Sequence, residues 1–231
     1  VYVPGNFRIR GGYSGLEPVQ LVPPSLDFEM WQGPAPKATY TASRVHFNFR
    51  WVNEYAPGYI TDWGAHFIDV VQWANDMDDS APVEVNVHNQ TRRPKGVYNA
   101  PEGFHIDYRY ANGVTMTCGP GNPSIKFIGS EGWVGNTGWR APLQASSRGI
   151  LESKIGPGET RLFTNPKGEH RNFLDCVKSR KDPYFPVDIG HRVSTVCHLA
   201  NIAIDRGVKL KWDPEKEEFL DDDKANDMCR I

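Results

Sequence analysis

The sequence predicts an α+β domain built on a mostly antiparallel sheet, and three observations predict it. Short runs that alternate apolar and polar residues follow one another between Val83 and Val134, with hairpin signals between them. Helical patterns stand before and after this block, an arrangement that favours a sheet with segregated helices over a doubly wound parallel one. No G-x-G-x-x-G follows a strand and opens a helix, and no G-x-x-x-x-G-K-[ST] occurs, so the chain offers no recognised cradle for a pyrophosphate.

The elements follow in order. An opening strand leads into a Pro-, Gly- and aromatic-rich excursion over about residues 15–45, where Pro23-Pro24 and Pro34-Ala35-Pro36 deny a long helix its donors and its dihedral angles. Trp31 within it serves either as a core plug under the loop or as a pocket wall. From Thr61 to Met77, Phe67, Val70, Val71 and Ala74 fall at three- and four-residue spacing, which predicts a helix approached through Gly58 and capped by Thr61 or Asp62.

After Pro82 the period becomes two: Val83, Val85 and Val87 alternate with Glu84, Asn86 and His88. Phe104 to Tyr110 alternates likewise, Asn112-Gly113 marks a tight turn, and Val114 to Cys118 returns beside it. A further strand-turn-strand spans Ile125 to Val134, with Gly129 and Gly132 permitting the reversal. Residues 135–160 are rich in loop formers. Helices are then predicted from Glu169 to Lys181 and from Ile189 to Arg206, the second closed by Gly207. A last strand, Val208 to Trp212, precedes an acidic tail over about residues 215–231 that reads as a solvated or frayed end.

A chain of 231 residues with 39% hydrophobic residues fits one domain, residues 1–231. Its formal charge of -2 supplies no broad basic field, so neither nucleic acid nor an anionic membrane is an expected partner. No stretch approaches the roughly 20 apolar residues that would cross a bilayer. A cytoplasmic setting is favoured, with an exported parent as the alternative, because the chain opens on Val1 and any signal would precede it. Cys118, Cys176, Cys197 and Cys229 lack metal-site spacing and read as reduced packing thiols, with a disulfide between Cys176 and Cys197 left open.

The chemistry concentrates at a helix start. Asp62 and His66 stand four residues apart, so both side chains share one helix face and can act on one substrate. An imidazole accepts a hydroxyl proton near neutral pH, and a carboxylate beside it stabilises the charged ring. The plainer reading makes Asp62 a cap and His66 an interior histidine. Arg50 can present a planar donor fork to a sugar hydroxyl or carboxylate, or serve as a surface cation. His170 and Asn172 open a later helix, as caps or as substrate contacts. No metal set is visible by spacing, although folding could bring His170 or Glu54 to His66. No nucleophile motif appears.

In order along the chain, Pro23-Pro24-Ser-Leu-Asp27-Phe-Glu-Met-Trp31-Gln-Gly33-Pro-Ala-Pro36, Phe49-Arg50-Trp51, Thr61-Asp-Trp-Gly-Ala-His66-Phe-Ile-Asp69 and His170-Arg-Asn-Phe-Leu-Asp175-Cys-Val-Lys-Ser-Arg180 closely resemble the C-terminal domain of bacterial Gfo/Idh/MocA oxidoreductases. The resemblance extends from the first strand to Trp212-Asp213-Pro214. It implies an open-faced sheet with helices on one side, and a parent enzyme whose N-terminal Rossmann domain, absent here, holds NAD or NADP. It further implies hydride exchange with a sugar or polyol, and a homo-oligomer formed through the open sheet face. The family's Asp-x-x-x-His pair falls on Asp62 and His66, with His66 as proton acceptor and Asp62 assisting. The chain alone is not expected to transfer hydride. The alternatives are a standalone carbohydrate-binding or oligomerisation module and a cofactor-independent lyase or isomerase of oxidised sugars acting through His66.

Overall fold

The structure is a computed structural model that describes residues 1–159 and 167–229. Among the described residues, nine short strands form two sheets. The larger has six strands in the order β1 (Tyr2–Val3), β4 (Thr115–Pro120), β3 (Gly103–Arg109), β2 (Glu84–Thr91), β8 (Leu210–Asp213), β9 (Glu218–Leu220). All neighbours run antiparallel except β1 and β4. The smaller sheet is a meander of β5 (Lys126–Gly129), β6 (Gly132–Gly135) and β7 (Gln144–Ala145). This is the predicted α+β class, with a mixed, open sheet.

The strand pairs follow from their alternation. In β3, Phe104, Ile106 and Tyr108 are buried while His105 and Arg109 are exposed and Asp107 is half-buried. The register places Tyr108 opposite Met116 and Ile106 opposite Cys118, so one face of the sheet is apolar throughout. Asn112-Gly113 reverses the chain as its residue types predict: Gly113 has φ +88°, and Asn112 Oδ1 accepts the Val114 amide at 3.1 Å. Gly132 is required by packing as well as conformation, because a Cβ there would stand 2.1 Å from Ser146 Oγ.

Two helices cover the apolar face. The long one, α5 (Val187–Arg206), buries Val193, Val196, Cys197, Ala200 and Ile204 at three- and four-residue spacing against β2 and against α2 (Trp63–Ala74). Gly207 closes α5 in the left-handed conformation, as expected. Each large apolar side chain sealed here contributes roughly 1.5–3 kcal/mol of transfer free energy. Inside α2, Gln72 is fully buried and fully paired: Tyr110 Oη donates to its Oε1 at 2.6 Å, and its Nε2 donates to the carbonyls of Met77 and Ser80 at 2.8 Å each.

The opposite face is polar. Glu84, Asn86, Asp107, Arg109, Thr115 and Thr117 project from it, and Glu84 pairs with both Arg109 and Lys209. The register turns the apolar residues of β2, β3 and β4 inward.

Four further expectations gain detail. The proline-rich excursion contains a one-turn helix, α1 (Phe28–Gln32), capped by Asp27 accepting the Met30 amide at 3.0 Å. The loop-rich stretch after residue 135 holds β7 and a short helix, α3 (Arg148–Leu151). The acidic tail is ordered through residue 229, with Arg230 and Ile231 outside the described residues. Within it, β9 pairs with β8, Phe219 packs on Trp212, and α6 (Asp223–Asp227) is capped by Asp222, which also pairs with Arg206 at 3.1 Å. Asn226 returns to β9, where its Oδ1 accepts the Phe219 amide at 2.7 Å and its Nδ2 donates to the Phe219 carbonyl at 2.9 Å. Cys118, Cys176 and Cys197 are free thiols, so no disulfide joins Cys176 to Cys197.

Candidate functional site

Asp62 and His66 stand where the chain enters α2. The entry is set by Gly58, which has φ +66° and packs so closely on Ala100 and Pro101 that a Cβ would come within 3.1–3.3 Å of them. It starts a 3-10 turn, Gly58–Ile60, that delivers Asp62 to the helix N-terminus. Asp62 occupies the cap position without making a cap bond. Its Oδ1 instead accepts from Arg50 Nε at 3.2 Å. A guanidinium offers a charge-assisted bond, stronger than one to a neutral amide.

Arg50 is itself held in place. It lies over the rings of Phe47 and Phe49 at 4.4 and 4.9 Å, and its Nη1 donates to the Phe47 carbonyl at 3.1 Å. Arg8, Arg10, Tyr59 and Trp63 complete a cleft of about 200 Å³ around Asp62 and Arg50. Three guanidinium groups against one carboxylate leave the cleft with net positive charge, suited to a hydroxyl-rich ligand that carries an acid group. Neither Arg8 nor Arg10 was singled out in the sequence, because each looks like an isolated surface cation there.

His66, one turn on, is exposed and opens into a different space. It lines a groove of about 770 Å³ between α2 and the start of α5, together with Asp69, Phe185, Pro186 and His191. Trp63 and Trp139 pack edge to face on each other at 5.1 Å, and the His66 ring lies beside this pair, 6.3 and 5.8 Å from their centroids. Burial and the charge of Asp78 hold the Asp69 carboxyl above its ordinary range, and His66 pulls it back down. Asp69 is thus a carboxylate electrostatically linked to His66, three residues on along the helix. The sequence showed it as the end of the helix-start motif and gave it no role. Trp139 comes from the stretch read as loop, and nothing in the sequence connected it to the site.

Trp31 fills both roles that the sequence left open. One face stacks on Phe28 at 5.7 Å, within a small core of Phe28, Tyr40 and Val45, and its edge meets Tyr55 at 5.0 Å. It also lines a pocket of about 710 Å³ with Gln32, Pro36, Phe49 and Tyr55. The 3-10 turn His46–Trp51 supplies Phe49 to this pocket and Arg50 to the charged cleft.

The two candidates on α4 (Glu169–Ser179) line none of these three cavities. His170 is exposed in the first turn. Asn172 is occupied locally: its Oδ1 accepts the Tyr184 amide at 3.0 Å and its Nδ2 reaches Cys176 Sγ at 3.6 Å, tying the helix to the loop that follows. Gly168 takes the cap position that the sequence offered to these residues. Among the described residues, the one group of three candidate metal ligands within mutual reach contains none of His66, Glu54 or His170.

Residues 7–231 match the family model described as "Oxidoreductase family, C-terminal alpha/beta domain". Against curated proteins, no sequence relative is found. Among solved structures, the fold is similar to an aldose-aldose oxidoreductase from Caulobacter crescentus complexed with glycerol, at TM-score 0.51 and 17% identity over 71% of this chain and 50% of that one. It is similar to the same degree to an NAD-binding protein from Listeria innocua, at TM-score 0.51 and 16% identity over 72% of this chain and 51% of that one. The chain thus spans about half the length of these structures.

Proposed function

The chain belongs to the Gfo/Idh/MocA oxidoreductases as their C-terminal alpha/beta domain, and from that premise we propose that it binds and orients a sugar or polyol for an NAD(P)-dependent oxidation in which His66 takes the hydroxyl proton. The observation that carries this reading is the setting of His66: an exposed imidazole beside the packed pair Trp63 and Trp139, facing a groove it shares with Asp69. Tryptophan faces suit the apolar side of a sugar ring. An imidazole in reach of solvent can pass on the proton it accepts.

The cleft and the groove divide the labour. Asp62, held by Arg50, accepts hydrogen bonds from substrate hydroxyls, and the guanidinium groups bind any acid function. Asp69, three residues on along the helix and lining the same groove, joins Asp62 as a carboxylate available to steady His66. Trp31 and its pocket extend the binding surface beyond Arg50. The glycerol complex of the Caulobacter relative supports a polyol-type ligand, and the Listeria relative supports NAD as the partner cofactor.

The described residues do not fit a dinucleotide. Their strands run into hairpins and meanders, and no strand turns through glycines into a helix N-terminus. The reading therefore places NAD or NADP on residues outside this chain and assigns this chain only substrate orientation and the proton. The test is His66→Gln in the complete enzyme. Turnover should fall by about 10²–10⁴-fold, the usual worth of a positioned general base, with cofactor affinity unchanged in a fluorescence titration. Turnover at the parent rate would refute the assignment.

A further inference from the structure

The polar face of the large sheet carries a cluster that the oxidation does not use. His88 on β2 and His105 and Asp107 on β3 bring their ligand atoms within 4.8 Å of one another. His88 Nε2 lies 2.7 Å from Asp107 Oδ2, and His105 Nε2 lies 3.8 Å from Asp107 Oδ1. The two imidazoles stand edge to face at 5.1 Å.

The backbone builds this arrangement. The pairing of β2 with β3 shifts between Val87 and Asn89, so His88 is the extra residue of a β-bulge. Bulges re-aim a side chain out of the regular pleat. Here the bulge leaves His88 on the same side as Asp107, beside His105. A second layer is present as well: Thr117 Oγ1 donates to Asp107 Oδ1 at 2.6 Å from the facing position on β4, and Asn86 Nδ2 sits 3.5 Å from His88 Nε2. Outer partners of this kind fix the orientation of metal-binding carboxylates.

An ordinary cross-strand ion pair accounts for one histidine. It leaves the second, His105, at 3.8 Å from Asp107, beyond hydrogen-bond distance. A single divalent ion satisfies both rings in their neutral form together with the carboxylate. We propose that His88, His105 and Asp107 form a binding site for a divalent transition-metal ion of the zinc class, with at least one coordination position open on the face of the sheet.

The donor set and the distances agree with such an ion. Two nitrogens and one oxygen are the ligands of zinc and its neighbours, whereas magnesium and calcium prefer oxygen alone. Ligands about 2.0–2.1 Å from a tetrahedral ion lie about 3.3 Å apart. The His88–Asp107 contact must open slightly and the His105–Asp107 contact must close slightly, both within the reach of side-chain rotation. The side chains retain 46%, 52% and 42% exposure for His88, His105 and Asp107, so an ion has a path in.

The test uses the full chain, stripped of metal and then equilibrated with zinc, or with cobalt(II) as a spectroscopic probe. The expected result is about one zinc per chain by elemental analysis, with cobalt ligand-field bands of a nitrogen- and oxygen-bound ion that zinc abolishes. His88→Asn and His105→Asn should each remove the stoichiometric ion, while His191→Asn, an exposed histidine elsewhere, should keep it. Thr117→Val, which leaves every ligand in place, should weaken zinc by about 10–100-fold. Circular dichroism on each variant establishes that it is folded. Sub-stoichiometric zinc in the parent chain, or zinc retained by a folded His88→Asn, His105→Asn double variant, would overturn the site.

Discussion

Asp62 and His66 were legible as a pair because a spacing of four on a helix is a strong geometric statement. What each does with its neighbours was not. Cap rules look three residues ahead of Asp62, whereas its partner Arg50 lies twelve residues behind and is brought round by two 3-10 turns. Asp69 lies on the same helix, and its significance depends on burial and on Asp78, neither of which spacing reveals. Because folding raises the Asp69 pKa above its ordinary 3.8, the fold favours the protonated form. That favourable contribution is complete below the unfolded value and is lost as pH rises through the folded one, so at neutral pH Asp69 is a charge held at a cost. Asp69→Asn should therefore melt at a higher temperature than the parent between pH 6 and 8, and the difference should shrink as pH falls toward 4. It should also lower turnover, if Asp69 steadies protonated His66. Parallel melting curves at all pH values would contradict the first expectation.

At the scale of elements, the sheet block was readable because alternation, Asn112-Gly113 and the stripe on α5 each state one local rule with no rival. The excursion, β7 and the tail were less so. In the tail, the run of acidic residues outweighs its few apolar ones by count, yet Phe219 and Ala225 are enough to seat it once Trp212 and Asp222 are in place. Gln72 shows the converse: a polar residue on the buried stripe of α2 looks like an interruption, but it supplies three hydrogen bonds that join the helix, its exit turn and Tyr110. Gln72→Leu keeps the volume and abandons those partners. Each stranded polar group costs about 1–3 kcal/mol, so we expect a loss of about 2–5 kcal/mol in urea unfolding, with the slope of the transition unchanged. A loss under about 0.5 kcal/mol would show that water replaces the amide.

At the scale of the whole molecule, the large sheet has a covered side and a bare one. The bare side offers charge and hydrogen bonds rather than apolar area, so self-association there, as the family resemblance implies, must rest on electrostatic complementarity. Such contacts weaken as the Debye length contracts from about 10 Å at 0.1 M salt to about 3 Å at 1 M. The mass of the complete enzyme by light scattering should fall toward that of a monomer over this range. A monomer at low salt, or an assembly indifferent to salt, would remove this face as the interface. The edges of the sheet invite a different encounter. β1 ends its side after two residues, and on the other side the Asn226 amide fills both backbone valences of Phe219. A side chain thus plays the part of the next strand, and copies of this domain that meet at that edge find it already occupied, which disfavours open-ended polymerisation into fibrils.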